Sequence, residues 1–165
     1  MPPIAVSSYE LSVFVHVAAV VVGLGATFAG ALAFPLALRL DPRHLPYAHA
    51  LSLGLSRWFA TPALVVILLT GLYQTSEGDW SLGDAWISAT FAILIVIGGL
   101  NGAYFIPTDR RLGAQAEREI AAAGPGPVTL SDDYTRAAQR EGAIGALTGV
   151  LVLVAVFLMV TKPGA

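Results

Sequence analysis

LSVFVHVAAVVVGLGATFAGALAFPLAL, residues 11–38, is an apolar run of 28 residues whose single ionisable side chain is His16. At ~1.5 Å of rise per residue, about 20 residues cross the ~30 Å hydrocarbon core of a bilayer. The run therefore predicts a transmembrane helix, with length left over for tilt or for a turn outside the lipid. On a helical projection His16, Ala19, Gly23, Ala26, Thr27 and Gly30 share one small and polar face, while Phe14, Val15, Val21, Val22 and Phe28 lie elsewhere. That sorting predicts close contact with a neighbouring helix along the small face.

The whole chain repeats the balance of this segment. It has 165 residues, 56% of them hydrophobic and 12% charged, against about 25% charged in soluble domains. Lipid is the expected solvent. A net charge of −2 gives no reason to expect nucleic acid as a partner. With no cysteine, disulfides, thiolate metal sites and a cysteine nucleophile are excluded. The N-terminal MPPIAVSSYE has no Lys or Arg ahead of the apolar run, so the first helix is expected to remain in the mature protein rather than be cleaved as a signal peptide.

Outward from the first helix, RLDPRHLPYAH, residues 39–49, reads as a short polar loop. A second span follows from about Ala50 to Tyr73, with Arg57 at the membrane boundary and a kink expected at Pro62. The acidic connection of residues 74–85 holds Glu77, Asp79 and Asp84, and Trp80 and Trp86 flank it as an aromatic belt would. The third span, Trp86 to Ile106, is expected to close or bend at Pro107. Residues 108–123 read as a short exposed helix ended by Gly124-Pro125-Gly126-Pro127. Ser131 is a plausible N-cap for a last helix that runs on through Arg140 and Glu141 into the apolar stretch Gly142 to Val160. The reciprocal glutamate of a capping box is missing there, because Tyr134 stands in its place.

The fold class that results is all-α: a polytopic membrane protein with four transmembrane helices, at about residues 12–38, 50–74, 86–106 and 139–161, in one antiparallel bundle. Residues 108–138 form a helical connection within a single domain. Eight of the nine basic residues fall around the first and third connections, and only Lys162 on the other side. The positive-inside rule places those connections in the cytoplasm and both termini outside, in a cell membrane.

Candidate chemistry is sparse. His16 lies on the small face near the outer end of its helix; neutral imidazole there suits haem iron, or it hydrogen-bonds a neighbouring helix. Arg57 and Glu141, at the cytoplasmic boundary of helices two and four, suit an ion pair, with Asn101 and Thr61 in the same polar layer. His44 and His49 with Asp41 make a weak candidate for a metal site and a better one for solvated loop residues. Gly142, Gly145, Ala146 and Gly149 are the best face for a homo-oligomer. No phosphate loop, HExxH motif or nucleophile elbow is present, so catalytic residues are unassigned and no metal is expected.

With the spans placed, the residues that carry a family likeness are His16 with Gly23 and Gly25, Arg57 opening the second span, the closing TGLY of Thr70 to Tyr73, Arg140-Glu141, and Lys162-Pro163. In these the chain resembles a large group of four-helix bacterial membrane proteins. The group includes the copper-resistance CopD domain, the HemJ-type protoporphyrinogen oxidases and an uncharacterised family of predicted integral membrane proteins. The CopD and HemJ likeness implies a haem- or metal-binding redox protein, with His16 as the sole protein ligand to haem b. The third span, WISATFAILIVIGGLNGAYF, has neither Lys nor His, and Met1 and Met159 are the only methionines. The uncharacterised family fits these residues best and brings no activity with it. The expectation is a non-enzymatic accessory or structural bundle without a cofactor, with lipid, other membrane subunits or a second copy of itself as partners.

Overall fold

A computed structural model describes residues 6–78 and 80–164; Asp79 of the acidic connection lies outside them. Four helical rods make up the fold, and among the described residues there is no strand. The first rod is α1 (Ser8–Leu40). The second joins a 3-10 turn (Pro42–His44), α2 (Leu45–Leu55), a π-helical turn (Ser56–Ala60) and α3 (Thr61–Glu77). The third joins α4 (Ala85–Leu100), a second π-helical turn (Asn101–Phe105) and α5 (Ile106–Ala123), and the fourth is α6 (Asp132–Thr161). Each rod contains a stretch long and apolar enough to cross a membrane. Their outer faces carry Phe14, Leu32, Leu69, Ile95 and Phe157 exposed, as a lipid-solvated bundle requires.

The small face of α1 is the face that packs. At Gly23 an added Cβ would stand 3.2 Å from the Cβ of Ala63 on α3, so the two backbones meet where only glycine leaves room. Near the end that holds the acidic connection, the start of α1 and the end of α6, α1 packs on α3 and α4 on α6; at the opposite, basic end α2 packs on α5. There Ala37, Leu45, Ala48, Leu112, Ala116 and Tyr134 form a buried core, with Phe34, Ile120 and Leu130 against it.

Three sequence expectations need correction. Residues 39–49 are not a loop: Arg39 and Leu40 end α1, and helical structure resumes at Pro42. Asp41 accepts from the Arg43 N–H at 2.8 Å, and Pro42 and Pro46 occupy first-turn positions, where a missing N–H costs nothing. Of the two outcomes expected at Pro107, closing does not occur, and the segment after it is not a separate helix. In both the second and third rods a π turn comes just before the proline: the N–H of Thr61 bonds the carbonyl of Ser56, and that of Ile106 the carbonyl of Asn101. Widening the turn accommodates the absent N–H and the ring of Pro62 or Pro107, and the helix continues. Finally, α5 is not simply exposed, since Thr108, Asp109, Leu112, Gly113 and Ala116 are buried along one face.

Both ends of the bundle are tied. Arg43 Nη2 donates to the carbonyls of Gly124 (2.7 Å) and Gly126 (2.8 Å), fixing the α5–α6 turn to the α1–α2 corner. At the other end Lys162 stands 4.4 Å over the ring of Trp80 and 5.7 Å over that of Trp86. Trp86 is buried rather than turned to lipid.

Candidate functional site

The densest polar chemistry sits in the basic-end core. His49 on α2 is 1% exposed and Asp109 on α5 likewise 1%. His49 Nδ1 lies 2.8 Å from Asp109 Oδ1, and Nε2 lies 2.9 Å from the Tyr134 hydroxyl on α6. The hydroxyl of Ser52, one turn beyond His49, donates to Asp109 Oδ2 at 2.7 Å. A carboxylate only accepts, so Nδ1 carries the hydrogen toward Asp109, and in the neutral ring Nε2 accepts from Tyr134. Burial, and then the charges of Glu141, Glu119 and Asp109, raises the Tyr134 phenol above its ordinary range; it therefore remains an O–H donor at physiological pH.

Glu141, two turns along α6 from Tyr134, completes the group. It is buried, and one ligand atom each from His49, Asp109 and Glu141 lies within 4.8 Å of the others. The ring of Phe34 packs edge-on against His49 at 4.6 Å between centroids. Gly113, one turn after Asp109, makes the approach of α5 feasible: a Cβ there would fall 3.1 Å from the Cβ of His49.

The residues singled out in the sequence are distributed differently. The ion pair of Arg57 with Glu141 does not form: Arg57 is exposed, and Glu141 faces His49 and Asp109. Asn101 does join Thr61, donating to its hydroxyl at 2.9 Å, and so links the two π turns. His49 is no solvated loop residue, whereas His44 is exposed with Nδ1 3.1 Å from the Asp41 carbonyl. His16 bonds across to the neighbouring helix, its Nδ1 2.8 Å from the Thr70 hydroxyl, and its ring fits beside Gly71. It lies on the other rod end from His49.

Sequence reasoning did not bring together His49, Asp109 and Tyr134. The available signal was periodicity: His49 and Ser52, Asp109 and Gly113, and Tyr134 and Glu141 are pairs separated by three, four and seven residues, each pair on one face of its helix.

Residues 10–163, nearly the whole chain, match the family described as "Predicted integral membrane protein (DUF2269)". The chain belongs to this family. The family description agrees with the four apolar rods. No curated protein and no solved structure matches the chain.

Proposed function

We propose that this protein is a non-enzymatic integral membrane protein, an accessory or structural bundle of the cell membrane whose basic end forms a rigid cytoplasmic platform. One observation carries the reading. His49, Ser52, Asp109 and Tyr134 come from three helices and are bonded to one another under cover; these polar groups hold helices together rather than line a substrate cleft. The core around them and the Arg43 clamp support the same role. The partner of such a platform is another membrane subunit or a second copy of the chain.

The alternative, a redox protein with haem b on His16, is separated from this by absorbance. Protein purified from haem-replete membranes is expected to be colourless. A stoichiometric Soret band that His16→Ala abolishes would overturn the proposal. That variant leaves Thr70 satisfied, because its hydroxyl also donates to the Val66 carbonyl at 2.6 Å.

A further inference from the structure

The His49–Asp109–Glu141 group brings together more acidic side chains than it has cationic partners. Two carboxylates lie buried within reach of one imidazole, and among the described residues neither has a Lys or Arg ion-pair partner. Two carboxylates beside one imidazole cannot all be charged in the protein interior without a further positive charge, because an unbalanced ion there is costly; the group takes up either a proton or a cation. Glu141 in addition makes no side-chain hydrogen bond among the described residues, while both Asp109 oxygens and both His49 nitrogens are held by neighbours.

We infer that His49 Nδ1, Asp109 and Glu141 form a binding site for one divalent transition-metal cation, with zinc the best-suited probe. The donor set is one borderline nitrogen and two hard oxygens. That set suits zinc, manganese or ferrous iron, and with no thiolate or thioether among its donors it does not suit cuprous copper. Bonds of ~2.0–2.2 Å in tetrahedral geometry place ligand atoms roughly 3.4 Å apart. The 2.8 Å between Nδ1 and Oδ1 then opens by a few tenths of an ångström as the shared hydrogen leaves. The ring loses its Nδ1 hydrogen to solvent and takes one up at Nε2, so its charge is unchanged, and Nε2–H then donates to the Tyr134 oxygen.

The surroundings already have the form that metal ligands need. A ligating histidine is oriented by a partner on its other nitrogen, and a ligating carboxylate by a donor on its other oxygen. Tyr134 and Ser52 stand in those two places. The three ligands come from α2, α5 and α6, so a bound cation would join three helices of the platform. This adds to the structural role proposed above without being required by it: if no metal binds, the hydrogen-bonded centre still holds the helices.

The test is zinc(II) titration by calorimetry of full-length, detergent-solubilised protein that carries no polyhistidine tag and has been stripped with chelator. One zinc per chain is expected, together with a rise in Tm. Asp109→Asn and Glu141→Gln should each weaken binding by more than about 10-fold, and Tyr134→Phe by about 10- to 100-fold. His16→Ala and His44→Ala should bind as the parent does. Because a ligand variant can fail to fold, cobalt(II) is added to the unmodified protein, where a visible ligand-field band that zinc displaces is expected. Absence of saturable zinc uptake by the folded parent would overturn the inference, as would uptake that folded Asp109→Asn and Glu141→Gln retain in full. A centre that holds only protons gives the first of these results.

Discussion

His49 is placed by a residue that has no side chain. Gly113 lets α5 come close enough for Asp109 to reach the imidazole, and a branched side chain there would meet the His49 Cβ, which is fixed to the backbone and cannot swing away. Gly113→Val is expected to lower stability by about 1–3 kcal/mol, the usual range for overpacking a close contact, read as a fall in Tm of the solubilised protein. A Tm equal to that of the parent would show that the α2–α5 approach is not tight. In the sequence, Gly113 and His49 stand 64 positions apart, and His49 follows Pro46 closely enough to pass for a loop residue. His16 was legible because the apolar run around it names its environment directly. His49 was not, since its burial depends on partners 60 and 85 residues away.

At the scale of elements, caps show what local pattern can and cannot supply. Ser7 and Glu10 form a complete capping box at the start of α1, both partners coming from one S-x-x-E stretch. Ser131 caps α6, accepting from the Tyr134 N–H at 3.2 Å, but its reciprocal carboxylate comes from another helix. Glu119 of α5 accepts from the Ser131 N–H at 2.9 Å and from the Ser131 hydroxyl, while Gln115 donates to Glu119 at 2.9 Å. Partial burial alone would raise the Glu119 carboxyl, but hydrogen bonds from Ser131 and Gln115, with the charge of Arg118, bring it below its ordinary value of 4.5. The stability it contributes is therefore present above that ordinary value and lost as pH falls through the lowered native one. Glu119→Gln is expected to speed amide exchange in the first turn of α6 at neutral pH and to remove the acid-dependent part of that exchange. Ser131→Ala, which removes the cap itself, should cost about 1 kcal/mol. Unchanged protection in Glu119→Gln would show that the inter-helix cap contributes nothing.

Across the whole molecule, the four spans could be read from composition because each is a long apolar run, and lipid-facing residues need no specific partner to be recognised. The joints between helices could not, since Pro42 and Pro46 sit here in first turns and Pro62 and Pro107 behind π turns. The orientation expected from the positive-inside rule is directly testable, as the chain has no cysteine of its own. Ser81→Cys at the acidic end and Glu117→Cys at the basic end are both exposed positions. An impermeant thiol reagent is expected to label the first in intact cells and the second only after lysis; the reverse pattern would invert the bundle.

The two π turns have a mechanical consequence. Each takes up about one extra residue, and one residue of a 3.6-residue turn is a rotation of about 100°. Ile97 and Thr108 are both buried and 11 positions apart, which in an unbroken helix would set them within roughly 20° of each other, facing one neighbour. Past the wide turn the buried stripe points elsewhere, so α4 lies chiefly on α6 while α5, the same rod continued, lies chiefly on α2; the second rod stays on α1 through both halves and gains α5 along α2. The joints sit side by side, fastened by Asn101 and Thr61. A torque applied to one end of the third rod is thus delivered chiefly to a different helix at the other end.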